Sequence, residues 1–286
     1  MEIHVQDLRE GYKTVIDTVL REGSHISPRG LGTTELTGVT IRVEEPRLTL
    51  PVGINRGVVP ALGYAEALQT VGGFQAPATM VKLTNTFERF MVGEALDDSG
   101  AYGCRLRGQL PLIQQILQTD PDSRQALAMI WDPLRDLHEE GTHRSCTVFL
   151  QFFIRQGKLE MHTVMRSNDA WWGLAYDAFQ FASVQMTMAD ALGIEVGQYV
   201  HHAMSLHLYD TNLEAARRLT LPSFSSRNAH LCRSFWMGSW KDTREGCLDA
   251  LLRPAGGVFP EGMLPSASLR DAREVVLGRL RDHPDA

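Results

Sequence analysis

Residues 144–179 read RSCTVFLQFFIRQGKLEMHTVMRSNDAWWGLAYDAF. A thiol, Cys146, stands at the head of the apolar run TVFLQFFI. A second run, LEMHTVM, ends on Arg166-Ser167-Asn168-Asp169. Between them, Gln156-Gly157-Lys158 has hairpin-turn composition. Folding the two runs as a hairpin brings Cys146 and Arg166 to one edge, where a guanidinium favours the thiolate, the nucleophilic form of cysteine. Asp177 then falls in an otherwise apolar segment, where a carboxylate needs a partner. Nucleophile, cation and buried acid in one span read as an active site.

The surrounding chain supplies the sheet that this hairpin belongs to. ALAMIW (126–131) and TVFLQFFI are nearly continuous apolar runs, which predicts strands covered on both faces. Val5, Leu8, Tyr12, Val15, Ile16, Val19 and Leu20 recur at helical spacing, with Gly23 placed to end the helix. SHISPRGLGTTELTG is turn-rich, and VTIRVEE and RLTLPV alternate like strands. Residues 60–71 read as helical, 75–101 as irregular, and LPLIQQILQ as a short helix before the loop TDPDSRQ. Residues 175–192 read as a long buried helix. YVHHAMSLHLY follows as a strand, and DTNLEAARRL as a helix behind an Asp cap. The tail SASLRDAREVVLGRLRDHPDA has a serine cap and a helical stripe. With no repeat or linker, residues 1–286 form one α/β (α+β) domain with a mixed sheet.

Composition narrows the class. Of 286 residues, 43% are hydrophobic and 22% charged, as in an ordinary globular protein. A net charge of −6 gives no electrostatic footprint for nucleic acid, so an anionic ligand needs local arginines. Cys104, Cys146, Cys232 and Cys247 show no CxxC spacing, which argues against disulfides or structural zinc and for a reducing compartment. The first residues, MEIHVQDLREGYKTVIDTVL, do not read as a signal peptide. No apolar run reaches the ~20 residues that span a bilayer. The expectation is a cytoplasmic protein without a membrane or nucleic-acid partner.

Taken singly, the candidate residues have ordinary readings as well. A free cysteine such as Cys146 is commonly a core residue. Arg166-Ser167 serves as a solvated strand end, or as a guanidinium and hydroxyl for a phosphate. Asp120-Pro121-Asp122-Ser123-Arg124 is a turn sequence, and Arg29 in its glycine-rich turn is uninformative alone. Glu66 is a helix-surface residue, or a proton shuttle if buried beside the thiol. His207 and Tyr209, two apart on a strand, share a face and suit a sugar hydroxyl. His201 and His202 point to opposite faces and argue poorly for a metal. The residues alone describe a cysteine nucleophile with arginines for an anion, and no particular substrate.

As an ordered set, these motifs resemble the thymidylate synthase family. The resemblance is strongest from MRSNDAWWGLAYDAF through HAMSLHLYDTNLE and extends back through Cys146, DPDSR, Tyr102-Gly103, Glu66 and SPRGLGTTELTG. It covers about residues 5–220 and leaves the remainder poorly matched. It implies a mixed sheet covered by helices, with sheets stacked across a homodimer. It implies that Cys146 adds to C6 of a pyrimidine nucleotide, so that C5 attacks the one-carbon unit of 5,10-methylenetetrahydrofolate. Glu66 matches the acid that organises water and proton transfer. Arg29, Arg166 and Ser167 match phosphate contacts, and Arg124 matches an arginine supplied by the second subunit. Gln125 stands where the family carries another arginine. Asp169 matches the folate contact, and His207 with Tyr209 matches the sugar contact.

Departures from the family pattern sharpen the expectation. Uracil-using synthases carry an asparagine where this chain has Asp177. An amide can accept from N3–H and donate to O4, whereas a carboxylate only accepts and so suits the N4 amino group of cytosine. It also stabilises a proton at N3 as the adduct forms. Thr147 replaces the histidine that follows the synthase cysteine. Glu88 to Met91 lacks the expected tryptophans, and RDHPDA is not the short apolar tail of synthases. These changes point to water, not hydride, reaching the C5 methylene, and so to a CMP or dCMP hydroxymethylase. Gln180, where synthases have a small hydroxyl residue, hints at an altered sugar-side pocket. Reductive methylation of (d)CMP, ordinary dTMP synthesis and a non-catalytic nucleotide- or RNA-binding relative are the alternatives.

Overall fold

The computed structural model describes residues 1–51, 57–84, 91–92, 95–96, 101–137, 144–220 and 274–280. The hairpin forms as the sequence predicts. Strand β7 (Thr147–Arg155) pairs antiparallel with β8 (Lys158–Met165) across a turn in which Gln156 and Gly157 adopt positive φ. Edge strand β6 (Leu127–Met129) pairs with β7. On the other side, β8 runs parallel to β10 (Glu195–Tyr209). Parallel neighbours need a crossover, and α7 (Leu174–Leu192) supplies it. A second crossover links β1 (Glu2–Val5) to its parallel partner β3 (Thr33–Val43) through α1 (Leu8–Glu22). Since β3 pairs antiparallel with β10, the sheet is mixed, in the order β1-β3-β10-β8-β7-β6. Short strands β2 (Ser24–Ile26) and β9 (Asn168–Asp169) join it through β3 and β10.

Helix α7 is buried nearly all round, as its scarcity of polar residues predicts. It ends at Gly193, whose φ of 68° suits the left-handed cap. It packs on the sheet and on α2 (Pro60–Gly72), which carries Glu66. Helix α4 (Tyr102–Leu106) crosses α2 so closely that a Cβ on Gly103 would lie 2.1 Å from the Gln69 carbonyl oxygen, which accounts for the Tyr-Gly pair. Helix α5 (Gln109–Thr119) and the short α6 (Pro133–Asp136) complete this side.

Several sequence expectations need correction. Val5 belongs to β1, and α1 begins only after Asp7, whose side chain accepts from the Glu10 N–H at 2.8 Å. TTELTG is the first half of β3 and not a turn, while residues 47–51 of RLTLPV form no strand, because Pro46 starts a 3-10 turn over Pro46–Leu48. Within the supposedly irregular stretch, Pro77–Leu83 is helix α3, and the two-residue strands β4 (Met91–Val92) and β5 (Ala95–Leu96) pair antiparallel. The apolar runs of β6 and β7 predicted cover on both faces. The structure buries Leu150, Phe152, Leu159, Met161 and Met165, but leaves Phe149, Phe153 and Val164 only half-buried on the opposite face. Residues Glu88 to Phe90, the tail RDHPDA, Cys232 and Cys247 lie outside the described residues, as does the Met91 side chain.

One buried ion pair fixes the entry to the hairpin. Arg105 donates to Asp136 at 2.5 and 3.1 Å and to the Ile130 carbonyl at 2.9 Å. Asp136 also accepts the Asp132 and Ser145 backbone N–H groups. Removing one member of a buried pair strands the other charge, at about 3–5 kcal/mol. Arg105→Met is expected to lose stability on that scale in urea unfolding, and Arg105→Met with Asp136→Leu to regain most of it.

Candidate active site

The head of β7 carries a bulge. Thr147 pairs with Met165, but Phe149 pairs with Val164, so Val148 is the extra residue. Its carbonyl accepts from both Ile130 and Trp131 N–H groups. Without the bulge, strict alternation would put Thr147 on the same face as half-buried Phe149. With it, Thr147 is fully buried. Cys146 precedes it, with its carbonyl accepting the Arg166 N–H at 2.8 Å.

Arg166 does reach the thiol. Its Nη2 lies 4.0 Å from Cys146 Sγ, while Nε and Nη2 donate to the carbonyls of Ser145 and Arg144 at 2.8 and 3.0 Å. The guanidinium also stacks over Trp131, 5.5 Å from the ring centre. The expected electrostatic balance, however, is reversed. Burial pushes the Cys146 thiol up by more than Arg166 and Arg29 pull it down, and Asp177 and Asp169 add to the rise. In the free protein the balance favours the protonated thiol. Arg29 sits in an exposed turn with φ 54°, a left-handed backbone that is uncommon for arginine.

Acids crowd the cleft floor. Burial and the neighbouring Asp177 hold the Glu66 carboxyl well above the usual range, and its Oε2 is buried without a hydrogen-bond partner. Asp177, in the first turn of α7, accepts from Asn168 Nδ2 at 2.8 Å and from Gln180 Nε2 at 3.1 Å. Burial nevertheless pushes its carboxyl up to about 7, against those two donors. Tyr102 stands among Asp177, Cys146 and Glu66, its phenol raised well above the ordinary value chiefly by burial. The Thr147 hydroxyl lies near Tyr102 without reaching hydrogen-bond geometry. Gly173 keeps this corner open, since a Cβ there would come within 3.0 Å of both Asn168 Nδ2 and Asp177 Oδ2.

The remaining predicted residues divide between two places. Asp169 accepts the N–H groups of Trp171 and Trp172, beside the half-exposed Trp172 indole. Through β9 it pairs with His207, whose ring meets Tyr209 edge-on at 5.2 Å, on the shared face that their spacing implies. Burial lowers the His207 pKa against the pull of Asp169. Ser167 is half-buried beside Arg166. Arg124 is elsewhere. Its carbonyl accepts from Gln151, five residues along β7 from Cys146, or roughly 17 Å at the strand rise. It does not join the cleft of its own chain.

Sequence reasoning missed part of the site. Gln180 bridges two polar groups through its amide, which donates to Asp177 and accepts from the Thr70 hydroxyl. Asn168, His201 and Tyr199 form an unbroken polar chain behind Asp177. The signal was available in strand parity, since Tyr199, His201 and His207 share the inward face of β10.

Comparison with known proteins places this geometry. The family profile described as Thymidylate synthase matches residues 10–223. The chain belongs to the thymidylate synthase family. It is 31% identical over 217 residues to a deoxyuridylate hydroxymethyltransferase of Bacillus phage SP01, covering 69% of this chain and 56% of the phage protein. The chain thus spans little more than half of that relative's length. A candidate thymidylate synthase of Methanothermobacter thermautotrophicus is 25% identical over 225 residues, covering 76% of this chain and 97% of its own.

Cys146 alkylation in the ligand-free protein is expected to be slow at neutral pH and to rise only above the usual thiol pKa of ~8.5. Arg166→Met should slow it further at every pH. Peptide mass spectrometry after timed iodoacetamide exposure reads both; faster labelling of the variant would contradict the role assigned to the guanidinium.

Proposed function

We propose that the protein hydroxymethylates C5 of a cytidylate, CMP or dCMP, with Asp177 as the base-selecting residue. Arg29, Arg166 and Ser167 hold the phosphate, and His207 with Tyr209 holds the sugar hydroxyl. The Cys146 sulfur bonds to C6, which turns C5 into a nucleophile. Asp177, with a pKa of about 7, is matched to the proton that this step requires. As the acid it donates to N3 while its other oxygen accepts N4–H; as the adduct forms, the proton passes to N3 and leaves a carboxylate beside it.

The cleft also fits a folate. Asp169 offers a carboxylate to pterin N–H groups next to an indole face at Trp172, and the Glu66 oxygen stands ready for a water. When bound, 5,10-methylenetetrahydrofolate supplies carbon at the formaldehyde level. After the C5 proton is lost and the tetrahydrofolate amine departs, Glu66 would organise the water that adds to the resulting C5 methylene, and loss of Cys146 from C6 restores the aromatic ring. Thr147, a buried hydroxyl in place of the synthase histidine, gives that water a polar wall. Two further features fit a homodimer: the half-buried face of β7 and β8, and an Arg124 too far away to serve its own cleft. The name of the phage relative favours a second reading, hydroxymethylation of deoxyuridylate.

Incubation with methylenetetrahydrofolate and CMP, dCMP or dUMP, followed by mass spectrometry, separates these readings. The cytidylates are expected to gain hydroxymethyl without dihydrofolate absorbance; dihydrofolate formed with turnover would indicate a synthase. Asp177→Asn is expected to lose cytidylate turnover and shift toward uracil nucleotides. For the unsubstituted protein, cytidylate kcat/KM should fall above an apparent pKa of about 7 as Asp177 loses its proton. The uracil-nucleotide profile of Asp177→Asn should lack that limb.

A further inference from the structure

Asn168 is buried between two partners of opposite demand. Whether the Asp177 proton is aimed at the base or lost, Oδ2 is left to accept, so the amide NH2 belongs at Asp177 Oδ2, 2.8 Å away. The amide oxygen then faces His201 Nε2 at 3.0 Å and needs a donor. His201 must therefore carry its proton on Nε2, leaving Nδ1 to accept from the Tyr199 hydroxyl at 2.8 Å. All three donors in this chain point toward Asp177. We propose that His201 is a positioning residue that sets base preference at one remove, by fixing which end of the Asn168 amide faces Asp177. The inference rests on the reading of Asp177 as the base-selecting group.

The chemistry is asymmetric. Without the Nε2–H donor, nothing distinguishes the two amide orientations on the His201 side. The flipped amide then offers its oxygen to Asp177, an arrangement satisfied only when Asp177 carries a proton. That proton is then held by the Asn168 oxygen and no longer reaches N3 of cytosine, while the N3–H of uracil can still donate to the other Asp177 oxygen, so discrimination falls. His201 suits the task because burial, with His202 nearby, holds its own protonation down to about pH 3. Its neutral tautomer consequently persists at any working pH. The acidic groups facing Asp177 from the other elements are Glu66 on α2, Tyr102 on α4, Cys146 at the head of β7, Asp169 on β9 and Tyr199 on β10. None of them supplies the donor that the Asn168 amide provides.

The test compares kcat/KM for dCMP, CMP and dUMP across pH in His201→Leu, His201→Gln and Tyr199→Phe. His201→Leu is expected to lower the cytosine-to-uracil ratio roughly ten- to a hundredfold, the scale of one hydrogen bond to a charged group. The alkaline limb of its cytidylate profile should move up by about one pH unit. His201→Gln, which can still donate, should restore most of both. Tyr199→Phe frees the tautomer and should shift both in the same direction by less, which keeps the idea testable if His201→Leu does not fold. Equal losses on all three nucleotides with an unmoved limb would overturn the proposal. In an Asp177→Asn background, His201→Leu should leave the base ratio alone. If Asp177→Asn itself does not change the ratio, the reading of Asp177 fails; if only the His201 and Tyr199 variants are silent, the relay alone fails.

Discussion

The site depends on the pairing of Thr147 with Met165 and the single extra residue beside it. That register places Cys146 and Arg166 on one edge and turns Thr147 inward. The period of a strand is two, so a slip by one residue would carry the buried set Leu150 and Phe152 to the outer face. The same slip would separate the sulfur from its cation. The register is held at both ends. A two-residue turn closes one, and the buried Arg105–Asp136 pair clasps the Ser145 backbone at the other.

Around that frame the dominant force is desolvation. Three acidic groups and a phenol share one cleft, and burial raises every one of them. Such a cleft holds protons instead of charges when empty. Asp177 is the member with compensating donors, from Asn168 and Gln180, and it alone is brought back to about 7. Two carboxyls thus take different roles. Glu66, with one buried oxygen lacking a partner, has its carboxyl held well above the usual range, while Asp177, with two donors, titrates near 7.

Much of this could be read from the residues. The hairpin, the long apolar helix and the proximity of Cys146 to Arg166 follow from hydrophobic period and turn composition, which are local properties. Val5 and RLTLPV misled because short elements are decided by neighbours: β1 exists only through its pairing with β3, and Pro46 favours a turn. The sign of the Cys146 shift was not legible, since a sequence shows the nearby arginine but not the depth of burial. Nor was the task of Gln180, whose amide could have turned to either side of α7. His201 shows a subtler limit. Strand parity gave its direction, but its donor role follows only from the demands of Asn168 and Tyr199 together.

The cleft draws on α2, α4, β7, β9, α7 and β10, and Tyr12 near the start of the chain reaches Ala170 and Trp171 beside it, donating at 2.7 and 3.1 Å. No contiguous piece of the chain contains the site. A ligand for it therefore recognises the assembled domain and nothing on the way there. By mass action such a ligand stabilises the fold by about 2.7 kcal/mol at a hundredfold excess over its Kd. For this architecture, substrate supply is also a control on how long the folded protein survives in a proteolytic environment.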